Sequence, residues 1–352
     1  MVDEAGRGNQ AKARKTAELA SVTGRADRRS AEIASLLTVS LMNRFSWNHG
    51  ARNSVIRAAL LGAVLCAGPA AAFWESPVQP PADPLPLKIV ARLPGAAAIE
   101  NSGLVQSRLN PDLFWGVNDS GNAPRVYAVR RDGSAGHKPK SDGVLLEGAS
   151  NIDWEDIAAF DDGTLVVADL GNNENQRQDL SLYLVAEPSP AAGRSGPVRR
   201  IRVRFPDQMA FPPAAKEFNF DCEAVFTVGP SIHVLTKHRG DRRTTLYRLD
   251  DPQPDRVNTL TRVGDFEIGG MVTAADCDRD GKRLLVLTYQ AIWLFERDDL
   301  ATPFFQGRVS SRPILLPQAE AICFADAETA LVTDELSGML LEFRLGELRP
   351  IR

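Results

Sequence analysis

The segment from Asn151 to Asn173, NIDWEDIAAFDDGTLVVADLGNN, reads as a hairpin that the rest of the chain repeats, and this repetition leaves few folds open. Residues 154–160 form its first strand, Asp161-Asp162-Gly163 its turn, residues 164–169 its second strand, and Gly171-Asn172-Asn173 closes it. β-Branched residues bounded by Asp-Gly and Gly-Asn clusters are the sequence signature of paired strands. The pattern recurs four times: 101–105 leads to 113–118, 222–225 to 234–237, 272–275 to 286–289, and 319–322 to 331–334. A third strand follows each hairpin, at 125–129, 180–185, 245–249, 291–295 and 339–345. A fourth follows the first four hairpins, at 143–147, 199–205, 259–266 and 308–316.

Four-stranded units that recur every 47 to 68 residues predict an all-β chain folded as a five-bladed β-propeller. The last unit has three strands, and the lone strand 87–93 (LKIVARL) supplies the fourth. That closure leaves no sheet edge open at the seam. The alternative is six blades, with a further unit hidden in the 68-residue interval between Glu155 and Glu223.

In a propeller the innermost strand of each blade starts at one mouth of the central channel, and the second strand returns to it. Hairpin ends therefore meet there, as Ser102/Asn118, Glu155/Asp169, Glu223/Lys237, Thr273/Tyr289 and Glu320/Asp334, separated by 16, 14, 14, 16 and 14 residues. The candidate ligand-binding set is Asn118, Glu155, Asp169, Arg177, Glu223, Lys237, Thr273, Tyr289, Glu320 and Asp334. Within it, Glu155, Glu223, Glu320, Asp169 and Asp334 are hard oxygen donors suited to calcium. The competing reading is structural: these polar groups hydrogen-bond neighbouring blades, and Glu223 pairs with Lys237. Arg125, Arg177 and the run Lys237-His238-Arg239-Gly240-Asp241-Arg242-Arg243 lie on loops at the same mouth and suit an anionic ligand. For Arg239, Arg242 and Arg243, plain solvation is an equal alternative.

Asp276-Cys277-Asp278-Arg279-Asp280-Gly281 imitates the start of an EF-hand loop, but Leu287 stands where the loop's closing Glu belongs, so an ordinary hairpin turn is expected. No HExxH, GxSxG, Gly-rich phosphate loop or CxxC pair occurs. Of the histidines past the N-terminal region, His137 falls in a loop and His233 in a strand, leaving His238 nearest the mouth.

Residues 54–72 have the make-up of a signal peptide, with Arg52 and Arg57 before an apolar stretch and Ala70-Ala71-Ala72 as the cleavage site. The expected mature chain starts at Phe73 and is periplasmic or secreted, without a membrane span; an uncleaved anchor is the alternative. Residues 1–53 read as a disordered extension, or Met42 as the true start, and 73–86 as a Pro-rich linker before the propeller at 87–352. Residues 1–72 hold 10 of the 41 Lys and Arg and 5 of the 45 Asp and Glu, so the remainder carries −9. An acidic body of this kind argues against a nucleic-acid partner. Cys222, Cys277 and Cys323 are an odd set and read as buried small hydrophobes rather than a disulfide framework. A monomer is expected.

The ordered series DWEDIA, ADLGNN…R, EA…LTK, VTAAD…DGKRLLVLTYQAIWLFE and AEAI…VTDE, over residues 100–345, resembles secreted bacterial β-propellers of the phytase-like and NHL-type superfamilies. That group's usual GDN stands here as Gly171-Asn172-Asn173, and its usual Arg before Thr-Tyr as Leu287. The phytase-like name implies calcium-assisted phosphoester hydrolysis. Three readings follow: a binder of a small anionic or metal-bridged ligand, a metal-dependent phosphoester or ester hydrolase, and a protein-interaction scaffold.

Overall fold

The computed structural model describes residues 83–136 and 142–351. The extension 1–53, the signal segment 54–72 with its cleavage after Ala72, most of the 73–86 linker and His137 lie outside the described residues.

Five antiparallel sheets form the five blades. Blade 1 runs from its inner strand Asn101–Gln106 through Leu113–Asn118 and Arg125–Arg130 to Val144–Leu145. Blade 2 comprises Trp154–Ala159, Thr164–Asp169, Ser181–Ala186 and Arg199–Arg204. Blade 3 comprises Asp221–Val228, Ser231–Lys237, Thr244–Leu249 and Thr261–Phe266. Blade 4 comprises Val272–Cys277, Arg283–Thr288, Ala291–Glu296 and Arg308–Pro313. Blade 5 comprises Ala319–Phe324, Thr329–Asp334 and Met339–Arg344. Its outer strand is Lys88–Arg92, paired antiparallel with Lys88 opposite Glu342 and Arg92 opposite Met339. The expected closure is therefore present.

No sixth blade fills the long interval. It holds the outer strand of blade 2 and a connection bearing the short 3-10 turn Ala215–Glu217. Two short strands go beyond the expected plan: Val257–Thr259 pairs parallel with the outer strand of blade 2, and Arg349–Pro350 pairs antiparallel with that of blade 4. Among the described residues no helix is long and apolar enough to cross a membrane.

The core is five slabs, one between each pair of adjacent blades. Second strands are buried on both faces, which is why TLVVAD, RLLVLT and TALVTD are near-continuous apolar runs rather than alternating ones. In blade 2, Leu165 and Val167 face blade 1, while Val166 and Ala168 face blade 3. Outer strands meet solvent on one side, so Arg199–Arg204 alternates, burying Ile201 and Val203. Cys222, Cys277 and Cys323 are free thiols, each buried in a different slab.

The closing strand carries flanking anchors. Leu93 packs in the slab between blades 5 and 1, and Leu85 in the slab between blades 4 and 5. A chain truncated to begin at Ala96 loses both anchors and the outer strand of blade 5. Two buried leucines alone amount to roughly 3–6 kcal/mol, so chemical denaturation is expected to show a loss of at least that size. A truncated chain as stable as the longer one would contradict the closure.

Candidate functional site at the channel mouth

A β-bulge occurs at the same place in every inner strand. The register jumps between Asn101 and Gly103, Trp154 and Asp156, Cys222 and Ala224, Val272 and Ala274, and Ala319 and Ala321. The unpaired residues are Ser102, Glu155, Glu223, Thr273 and Glu320. A bulge leaves one residue out of the ladder and re-aims its side chain. Here it delivers those five side chains to one end of the channel.

The bulge also corrects the expected hairpin pairing. Asp169 stands opposite Trp154 rather than Glu155, Asp334 opposite Ala319, and Asn118 opposite Asn101. In blade 3 it is Thr236 that occupies this place, opposite Cys222, and in blade 4 Thr288, opposite Val272. Lys237 and Tyr289 are thus one position further on, equivalent to Asp119, Leu170 and Glu335.

A cavity of about 170 Å³ lies at this mouth, lined by Ser102, Asp119, Glu155, Asn173, Glu223, Lys237, Arg239, Tyr289, Gln318, Glu320 and Glu335. Of the expected set, Glu155, Glu223, Lys237, Tyr289 and Glu320 are brought together there. The other five have different duties. Asp169 accepts hydrogen bonds from the Asp153 amide (3.0 Å) and from Arg177 (2.9 Å). Asp334 accepts from the Gln318 and Ser337 amides at 2.7 and 2.9 Å. Both brace the chain entering or leaving the blade. Arg177 is held by Asp169, Asp179 and the Gly171 carbonyl, and lines a separate outer groove. Asn118 donates to the Ala96 carbonyl (2.8 Å), and the Thr273 hydroxyl to the Ala319 carbonyl of the next blade (2.8 Å). Ser102 likewise donates to the Trp154 carbonyl of the next blade (3.0 Å). The structural reading thus describes the hydroxyl-bearing bulges, the pairing of Glu223 with Lys237 and the bond from Tyr289 of blade 4 to Glu320. All three glutamates also face the cavity, and Glu155 is the one of them with no such partner among the described residues.

Asp119, Asp153, Asp221, Arg239 and Glu335 were not in the expected set. Asp153 and Asp221 had a signal, since Asp-Trp-Glu and Asp-Cys-Glu share the spacing Asp153/Glu155 and Asp221/Glu223. His238 is committed elsewhere: its Nδ1 lies 2.7 Å from Asp241 and its Nε2 3.2 Å from the Thr245 hydroxyl. The EF-hand-like run is a turn, as expected, with Asp278 accepting from the Lys282 and Arg283 amides.

One polar chain crosses the cavity. Lys237 Nζ lies 2.9 Å from Glu223 Oε2 and donates to the Tyr289 hydroxyl (2.9 Å), which donates to Glu320 Oε1 (2.9 Å). Gln318 donates to Glu320 (3.1 Å) and to Glu335. Arg239 pairs with Asp221 (2.9 Å) and donates to Asn173.

Burial and mutual repulsion raise the carboxyl pKa values. Burial, then Glu223 and Asp119, push Glu155 well above the usual carboxylate range. Burial does the same to Glu223, with Lys237 pulling the other way. Burial and Asp119 raise Asp153 to about 6, and burial and Glu320 raise Glu335 to about 8. Burial alone would lower Lys237, but Glu223, Tyr289 and Glu320 outweigh it and hold the ammonium form. In charged form, five cavity-lining carboxylates face two cations, Lys237 and Arg239. Oxygen-only donors of this kind suit calcium, magnesium or manganese rather than zinc or copper.

Beneath the mouth a buried carboxylate ties the inner strands together. Asp156 accepts from the Val225 amide of blade 3 (2.9 Å), the Ala275 amide of blade 4 (3.3 Å) and its own neighbour Ile157 (2.8 Å). Its counterparts in the other blades are Gly103, Ala224, Ala274 and Ala321, small enough to leave room for it. A Cβ at Gly103 would stand 2.8 Å from the Asp156 Cα and 2.9 Å from its Oδ1. Asp276 makes a similar tie, accepting from the Phe324 amide of blade 5 (2.9 Å).

No protein-family model matches the chain, and no curated protein matches it. Among solved structures, the PQQ-bound aldose sugar dehydrogenase of Streptomyces coelicolor aligns at 9% identity and a TM-score of 0.43, covering 75% of this chain and 99% of that one. A luciferin-regenerating enzyme aligns at 10% identity and a TM-score of 0.40, covering 75% and 97%. At such identities and scores, neither says anything about this chain's ligand or chemistry.

Asp156→Ala leaves three backbone amides without their acceptor. At about 1–3 kcal/mol for each buried unsatisfied donor, urea denaturation is expected to show a loss of at least 3 kcal/mol. Asp156→Asn, which keeps an acceptor oxygen, is expected to lose less. Equal stability of Asp156→Ala and wild type would contradict this role.

Proposed function

We propose that the mouth binds a divalent cation, calcium for preference, and through it a small anionic ligand. The observation that carries this reading is Glu155. It is 6% exposed, lines the cavity, and has no hydrogen-bond donor among the described residues. A buried carboxylate without a donor or counter-charge is unfavourable, and a cation entering from the cavity supplies both charge and coordination. Arg239 and Lys237 on the same wall support contact with the ligand's negative groups. The closed ring of five blades supports a monomeric binder, and the signal-like segment supports a periplasmic or secreted location.

A second reading keeps the same site and adds hydrolysis of phosphoesters or carboxylesters, in line with the phytase-like resemblance. It is favoured by the placement of several carboxyls around one cavity, where burial and mutual repulsion raise Glu155 and Glu223 above the usual carboxylate range beside the proposed ion. Calcium-dependent turnover of a phosphoester and carboxylester panel separates this reading from binding alone.

A cation that binds only the folded state stabilises it by mass action. At a hundredfold excess over Kd this corresponds to about 2.7 kcal/mol, a rise in melting temperature of about 5–10 °C. A chelator is expected to remove that rise in the wild type. The double variant Glu155→Gln, Glu320→Gln is expected to melt alike with and without chelator. A wild type indifferent to both calcium and chelator overturns the reading in favour of blade-to-blade bonding and a scaffold role.

A further inference from the structure

Two acidic triads share Glu155. In one, Asp119, Asp153 and Glu155 each offer an oxygen, all within 4.8 Å of one another; in the other, Glu155, Asp221 and Glu223 do the same. Oxygens around a single calcium ion are separated by at most about 5 Å, twice the 2.3–2.6 Å bond, so distance alone admits either. We infer that the cation lies between Asp119, Asp153 and Glu155, and that Asp221 and Glu223 are reserved for the protein's own cations. This rests on the cation-binding reading above.

Charge compensation decides between them. Glu223 is 2.9 Å from Lys237, itself 5% exposed and so unable to swing into solvent. Both oxygens of Asp221 are in use, one by Arg239 (2.9 Å) and the other by the Asn172 amide (2.7 Å). Two acids meet two fixed cations there, and a divalent ion would be driven against Lys237 and Arg239. The other triad has no ion pair among the described residues. The Asp119 carboxylate is bonded only by its neighbour Ser120, and among the described residues no donor reaches the carboxylates of Asp153 or Glu155. Arg177, whose charge acts on Asp153 without an ion pair, is already taken by Asp169 and Asp179. Three carboxylates without a counter-charge become one net negative charge with a divalent ion.

Gly171 gives this triad its shape. A Cβ there would stand 2.1 Å from Glu155 Oε1 and 2.4 Å from Asp153 Oδ2. The two carboxylates therefore close over bare backbone, and any larger residue drives them apart without changing a charge. Glycine is used here for close approach.

The test is calcium titration of the full chain by isothermal calorimetry, with terbium luminescence sensitised through Trp154 as a second readout and a melting curve on each variant to establish folding. The wild type is expected to bind one ion per chain. Asp119→Asn, Asp153→Asn and Gly171→Ala are each expected to weaken binding by about 10- to 100-fold, and Asp221→Asn by less than any of them. Loss of binding in Asp221→Asn that exceeds the losses in Asp119→Asn and Asp153→Asn assigns the ion to the deeper triad and overturns the inference, while cation binding at the mouth stands. Absence of calcium and terbium binding in the wild type overturns both.

Discussion

One unpaired residue in each inner strand governs both the channel and its mouth. Without the bulge, the strictly alternating pleat would send residues 102, 155, 223, 273 and 320 into the slabs between blades, where a glutamate could not be tolerated. With it, the side chain leaves the ladder while the rest of the strand stays in register with its partner. The residue that occupies the bulge then decides its use. Serine and threonine reach across to the next blade's carbonyl, and glutamate reaches into the cavity. Structural and candidate functional positions are thus the same position in different blades.

The inner strands create a second demand. Their channel-facing amides have no fifth strand to pair with, and Asp156 and Asp276 provide acceptors in place of one. Burial pushes both carboxyls above their usual range, Asp276 to about 6, even though amides donate to them. The channel is therefore tied together by acids along its length, and the mouth adds more acids above them. Lys237 and Arg239 offset two of these. Glu320 and Glu335 keep neutral donors, whereas Asp119, Asp153 and Glu155 form a group with no ion pair among the described residues, and this is the charge for which a cation is proposed.

Much of the fold is legible in the sequence because slab packing writes itself into it. Second strands buried on both faces become runs such as TLVVAD, the turns carry Asp-Gly, and the period counts the blades. The closing strand was legible because the last unit lacks a fourth one. The bulge was not, since it has no composition of its own and any residue can occupy it. Reading the hairpins as unbroken ladders set Asp169 and Asp334 beside the glutamates, although each lies one residue short of the cavity-facing position that Lys237 and Tyr289 hold. Asp119 and Glu335 do hold it. Asp156 carries no signal of its own in the sequence, because its value comes from the small residues around it in four other blades, which are brought together only by closure of the ring.

The charge left uncompensated around Asp119, Asp153 and Glu155 calls for a counter-ion. Anomalous diffraction from crystals of the protein grown with terbium in place of calcium would locate such an ion. A single strong peak is expected at the mouth, about 2.3–2.6 Å from carboxylate oxygens of Asp119, Asp153 and Glu155. A mouth without a peak, under conditions in which terbium is bound elsewhere on the molecule, would contradict it.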